Sequence, residues 1–315
     1  MRAYPMWARA KRLAGVAAGL GLSALAMGCA HRDAPSATLP ESSSASAASA
    51  TAPEAAAPMA ESNMAIPKDA IDNTLNPQHL PAYSGPTGSV EGTITVIGPP
   101  SPDVKLDGAK CPAAVDTFGK LFREGTPAEP NGPRPLADAV VVATGYSGFY
   151  LPETRPSVQV TISVDCAYPA RSIALTFGQP LEIKNLSKYP FAPIMDSDAS
   201  PAVMMAAPLG AGDPIRLYPR RPGHAVMGDL MQTYAREDVY VLRFPSHAIS
   251  GRDGHYRIDG LPVGKLSIGA QHPTVASQAS APVDIAANVV AKLDLTLEYA
   301  PKAPKQEGPR DQIVR

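Results

Sequence analysis

A chain of 315 residues can hold one large domain or two modest ones. Its 35 prolines and 25 glycines, with only 6% aromatic residues, favour short strands and many turns over long helices. A formal charge of −1 carries no basic footprint for nucleic acid, which is excluded as a partner.

Residues 1–28 open with a basic head (Arg2, Arg9, Lys11 and Arg12) and continue as an apolar stretch from Leu13 to Met27. The stretch is too short for a transmembrane helix and has the form of an export signal. Removing those four residues from the 28 basic ones leaves 24 against 29 acidic, a net −5. The signal ends in Leu25-Ala26-Met27-Gly28-Cys29. This resembles a bacterial lipobox, with Ala26 where leucine is usual, and implies lipid attachment at Cys29. An ordinary secretory signal with an incidental cysteine is the alternative. More than one acyl chain on the cysteine is what stable anchoring takes. The resemblance therefore implies a membrane-anchored protein of the cell envelope, facing the periplasm, on the outer membrane rather than the inner, or on the cell surface.

Residues 29–86 are dominated by Ser, Ala and Pro, as in ESSSASAASATAPEAAAP, with almost no branched or aromatic residues before Ile66. Such a segment buries too little surface to offset its ordering entropy and reads as a disordered tether. As a coil it reaches on the order of 40 Å. Residues 300–315 read as a disordered tail. Cys111 and Cys166 remain once Cys29 is lipidated. An even pair in an exported chain predicts a disulfide, with two separate thiols as the alternative.

In the remaining chain, Ser89–Ile97 alternates Val90, Gly92, Ile94 and Val96 with polar residues and predicts a strand. Residues 99–133 are proline-rich and read as irregular, pinned by Cys111. Ala139–Ala143 predicts a second strand. It leads into a Gly-rich loop where Tyr146, Phe149 and Tyr150 cluster. These three rings are a candidate ligand platform; the competing reading is that they pin the loop to the sheet. Further strands are predicted at Val158–Asp165, Ser172–Phe177 and Leu181–Asn185.

Asp253-Gly254 then sits between two alternating runs, a strong hairpin signal. With those two as the turn, Arg252 faces His255 and Ile249 faces Ile258. Ile249, Tyr256 and Ile258 then share the apolar face, and Ser250, Arg252, His255 and Arg257 the polar one. His247 falls opposite Gly260, and both His247 and His255 read as surface residues. Leu261-Pro262-Val263-Gly264 turns the chain again, and Val289–Tyr299 predicts one closing strand, with Val290, Leu293, Leu295 and Leu297 on one face.

Asp253, Gly254, Ile258, Gly260, Leu261, Pro262 and Gly264 match the D-G-x-F-x-I-x-G-L-P-x-G signature of the carboxypeptidase regulatory-like β-sandwich. Tyr256 replaces its phenylalanine. Gly88–Ile94 and Pro135–Val142 resemble the first two strands of that family. Cys166, Tyr168, Pro169, Gly178, Gln179, Leu181, Glu182, Ile183 and Asn185 resemble exported cupredoxin-like proteins of the methylamine-utilisation type. Together these imply an all-β protein, a carboxypeptidase regulatory-like (transthyretin-like) sandwich combined with a cupredoxin-like sandwich. Four strands after Ser246 are too few to close a sandwich alone. The expected arrangement is therefore split, 87–155 with 244–299, and 156–243 inserted; a simple tandem is the alternative.

The cupredoxin-like resemblance raises copper, which needs a thiolate, two imidazoles and a weak axial ligand. The corresponding slots here hold Phe191, Ile194, Gly228, Met231 and Tyr234, so no metal or other cofactor is expected. The soft donors Met195, Met204, Met205, His224, Met227 and Met231 leave Cu(I) handling as a remote alternative. Gly145–Phe149 misses the last glycine of a nucleophile elbow. Asp196-Ser197-Asp198 begins like a calcium loop, but Pro201 and Ala207 occupy its glycine and acidic positions. The expectation is a non-enzymatic interaction or structural module, with an envelope protein or a glycan as partner and carbohydrate binding as the alternative function.

Overall fold

The computed structural model describes residues 63–106, 111–196 and 204–301. They form an all-β architecture with two short α-helices. The first helix is α1 (Lys68–Leu75). Strands β1 (Thr87–Ile97), β2 (Arg134–Pro135) and β3 (Val140–Thr144) follow, with α2 (Pro112–Phe118) between β1 and β2. Next come β4 (Val158–Ile162), β5 (Ser172–Thr176), β6 (Leu181–Asn185), β7 (Pro193–Met195), β8 (Ile215–Leu217), β9 (Gly223–Asp229) and β10 (Arg236–Leu242). The chain closes with β11 (His247–Ile249), β12 (His255–Pro262), β13 (Gly264–Gln271), β14 (Gln278–Ile285), β15 (Val290–Lys292) and β16 (Leu295–Glu298). No helix among the described residues is long and apolar enough to cross a membrane.

Four sheets enclose two separate cores. In one, β1 is the central strand: β12 pairs with it antiparallel, and β15 and β16 run parallel along successive halves of it. The facing sheet has the order β11-β3-β13-β14. The alternation read from the sequence holds here, since Val90, Ile94 and Val96 point inward with Val141, Tyr256, Ile258 and Ile268. Gly92 lies on the same inward face, and the position takes glycine because a Cβ there would come within 1.9 Å of the Leu293 carbonyl. In the other core, the sheets β5-β10-β9-β7 and β4-β6-β8 enclose Ile162, Tyr168, Leu175, Leu181, Ile183, Phe191, Met227 and Val241.

Several expectations are corrected. Asp253-Gly254 does turn the chain, with Gly251 N–H donating to His255 O at 2.9 Å. It does not join paired strands. β11 pairs with β3, placing Ile249 against Val140, whereas β12 pairs with β1, placing Ile258 against Val90. The turn crosses from one sheet to the other. Ser250 is buried rather than on a wet face: its hydroxyl donates to Leu136 O and accepts from Ala139 N–H. Gly254 packs so close that a Cβ would sit 2.4 Å from Ile94 O, at a φ of 75° that glycine tolerates. The single closing strand is broken into β15 and β16 at Leu293–Asp294, where Asp294 Oδ1 accepts Thr93 N–H and Leu293 O accepts the Tyr256 hydroxyl.

Two helices stand where none was read. α1 lies inside the stretch expected to be tether through residue 86; Ile66, Ile71 and Leu75 pack on the second core, and Ile71 rests on Gly178. α2, within the stretch read as irregular, begins at a proline and buries Ala114 and Phe118 in that core. Cys111, immediately before it, is joined to Cys166 with Cα atoms 5.4 Å apart. Closing a loop over a separation of 55 residues stabilises by about 4 kcal/mol in the chain-entropy view.

Because β2, β12, β15 and β16 all pair with β1, deleting residues 88–97 is expected to abolish amide-exchange protection in β12, β15 and β16 together. Retained protection in β12 would refute the central role of β1.

Candidate functional site

The loop that leaves β3 carries the three aromatic residues singled out from the sequence, bent by Gly145 (φ 98°) and Gly148 (φ 83°). The structure divides them. Tyr146 and Phe149 stack in parallel, centroids 5.7 Å apart at 10°, and Phe149 leans on Tyr83 at 4.5 Å. Tyr146 donates its hydroxyl to Ser246 Oγ at 2.9 Å, since that serine's own proton goes to Ala143 O. Burial pushes the Tyr146 phenol upward. These two rings are therefore engaged in holding the loop. Tyr150 is held through its backbone, which accepts from Tyr83 N–H at 3.0 Å and donates to Pro81 O at 3.1 Å. Its ring makes no ring contact among the described residues, and its side is half exposed.

Around Tyr150 lies a cleft of about 320 Å³, at the small end of ligand sites, which span about 300–1,000 Å³. One wall is the loop; another is the end of α1 with Gln78 and Leu80; the third is Arg243 and Phe244, leaving β10. Sequence reasoning missed Tyr83, Gln78 and Arg243, because the first two fell within the presumed tether and nothing periodic marks the third.

The remaining candidate residues are separated. Cys29 lies outside the described residues, as do Ser197 and Asp198 of the calcium-like segment. At the positions compared above with a copper-ligand pattern, Phe191 is buried edge-on to Tyr168 at 5.6 Å and Met231 is exposed. Tyr234 donates its hydroxyl to Cys166 O at 3.1 Å. The soft donors do not converge: Met195 and Met227 face one another across β7 and β9 inside the core, while Met205 and Met231 are exposed. His224 is bound to Asp238 at 2.7 Å. No group of three or more His, Cys, Asp or Glu side chains placed to hold a metal occurs among the described residues.

His247 is buried, not a surface residue: it pairs with Val142, and its Nε2 accepts from Arg155 at 3.2 Å. Burial and then the Arg155 charge pull it down to about 4. His272 is also pulled to about 4 by burial. Glu237 is fully buried with neither carboxylate oxygen hydrogen-bonded among the described residues, and burial followed by the Asp229 charge pushes its carboxyl well up.

Comparison with protein families and with curated proteins finds no match. Among solved structures, the chain is similar to a mutant of amicyanin, Cu(I), over 32% of this chain and 98% of that one, at 15% identity and a TM-score of 0.23. A likeness of this size carries no argument about the present chain.

The buried acid and the two histidines give opposite pH dependences. An acid raised on folding keeps its proton when the unfolded chain releases it, so Glu237 lowers stability as pH rises above the ordinary carboxyl value. The lowered histidines stay neutral while the unfolded chain gains protons, so their effect is lost stability as pH falls from 6.5 towards 4. Glu237→Gln, whose amide cannot ionise, is expected to raise unfolding stability at pH 7–8 by about 1.4 kcal/mol for each pH unit by which folding raises the carboxyl. Urea melts between pH 4 and 8 should show the gain shrinking towards pH 4. A gain independent of pH would rule out the buried acid as its source.

Proposed function

We propose that this chain is a membrane-anchored envelope lipoprotein whose β-sandwiches serve as a non-enzymatic binding module. In this reading a carboxypeptidase regulatory-like, transthyretin-like sandwich is split between 87–155 and 244–299, and a degenerate cupredoxin-like block, 156–243, is inserted in it. What supports the split is strand pairing: β1 reaches across to β12, β15 and β16, while β4 to β10 pair only with one another. The export signal and Cys29 are the basis for anchoring. Replacing Cys29→Ala should move the protein from the membrane to the soluble envelope fraction; an unchanged distribution would remove the lipid anchor from the proposal.

The observation that carries a binding role is the cleft at Tyr150. Two rings of its loop, Tyr146 and Phe149, are stacked into a rigid support, and two more, Tyr150 and Phe244, line the opening without ring partners among the described residues. Flat apolar rings beside polar side-chain ends suit the two sides of a sugar, whose C–H face stacks and whose hydroxyls hydrogen-bond. This favours carbohydrate as the ligand over a purely structural role. The intact protein is expected to be retained on immobilised envelope and plant-type polysaccharides, and Tyr150→Ala to lower that retention by about tenfold or more, as loss of a stacking ring does. Equal retention of the two proteins would return the cleft to a structural role.

A further inference from the structure

The polar ends around the cleft fall into two groups. Asn76 closes a turn by bonding both the N–H and the carbonyl of Leu80, Tyr146 is bound to Ser246, and Thr144 donates to Ser267 O. These are spent on the fold. Gln78, the Tyr150 hydroxyl and Arg243 make no hydrogen bond or ion pair among the described residues. Arg123, Arg134, Arg155, Arg171, Arg216 and Arg257 are each bound to a carboxylate or a carbonyl; Arg221, Arg236 and Arg252 share with Arg243 the lack of such a bond among the described residues, but none of them lines the cleft.

Among the described residues Arg243 is the one charged side chain that lines the cleft, and no carboxylate of theirs lines it. A cation that holds nothing in the protein, set beside unpaired aromatic rings, makes the opening selective for a negative charge. One guanidinium neutralises one charge, which favours a singly charged group over a phosphate dianion. Its planar fork of donors matches the two oxygens of a carboxylate.

We infer that the cleft recognises a glycan carrying a ring carboxylate, of the hexuronate type, with the sugar face on Tyr150 and the carboxylate on Arg243. This rests on the carbohydrate reading above and specifies its ligand class. Gln78, on the opposite wall, is then free to meet a ring hydroxyl. The neighbouring Tyr83–Phe149–Tyr146 ladder keeps the loop in place whether or not the ligand is bound.

The test uses the intact protein and two probes with the same sugar chain, one charged and one neutral: a tetragalacturonic acid and its fully methyl-esterified form. By titration calorimetry the acid is expected to bind about tenfold tighter than the ester at low salt, the size of one charge-assisted contact. The difference should shrink in 0.5 M salt, where a Debye length of about 4 Å screens a partly exposed pair. Arg243→Gln, which removes no internal bond and leaves the fold intact, should bring the acid down to the affinity of the ester. Tyr150→Phe should keep the ring and most of the affinity, and Tyr150→Ala should weaken both probes. If acid and ester bind equally, or if Arg243→Gln leaves the preference unchanged, the charge recognition is overturned while carbohydrate binding stands. If neither probe binds, and no neutral polysaccharide is retained either, both readings fall.

Discussion

A single buried carboxylate, Asp138, ties the two cores together. It sits at a positive φ of 64° just before β3, with 1% of its surface exposed. Both its oxygens take the Arg123 guanidinium, at 2.5 and 2.6 Å, and one also accepts Arg171 N–H at 2.9 Å. Arg123 in turn reaches Pro169 O, and the Arg171 side chain caps the carbonyls of Lys120 and Leu121. Chain from before β3 is thereby bound to the start of β5. A buried pair of this kind adds little net stability compared with well-packed apolar groups, but removing one partner leaves an uncompensated charge at a penalty of about 3–5 kcal/mol. Its effect is to dictate one relative placement of the strands around it.

The disulfide acts in the same direction by different physics. Cys111 immediately precedes α2, whose Ala114 and Phe118 belong to the core formed mainly by β4 to β10, and Cys166 lies in that core. Residues that precede β2 in sequence are thus recruited into the second core. Phe122, four residues beyond Phe118, already belongs to the first, where it meets Tyr299 edge-on at 4.8 Å. The chain passes from one core to the other between these two phenylalanines, beside the Arg123–Asp138 pair.

The aromatic loop shows how support and exposure can be separated within one sequence cluster. Tyr146 and Phe149 are consumed by stacking and by the bond to Ser246, while Tyr150, adjacent in sequence, makes no ring contact among the described residues and lines the cleft. The second core shows another division: apolar Phe191 is fully buried, yet the Glu237 carboxylate is buried without a hydrogen bond among the described residues. Tight packing and polar satisfaction are independent requirements, and here the first is met where the second is not.

Local chemistry determined what each segment of this chain does by itself. Alternation placed Val90, Ile94 and Val96 inward and His255 and Arg257 outward, because side-chain direction in a strand depends only on a period of two. Asp253-Gly254 and Leu261–Gly264 turned the chain where glycine allows positive φ, and the paired cysteines found each other. Tertiary structure alone decided the partners. A turn residue sets its own dihedral angles but not whether the next strand stays in the same sheet, so β11 and β12 diverged despite a strong hairpin signal. α1 was invisible because its helix is short and weakly apolar, and it is stabilised by Ile71 packing over Gly178, more than a hundred residues away. The cleft was half legible for the same reason. Tyr146, Phe149 and Tyr150 stand together in sequence, whereas Gln78 and Arg243 reach the same opening only because two distant backbone segments pack beside that loop.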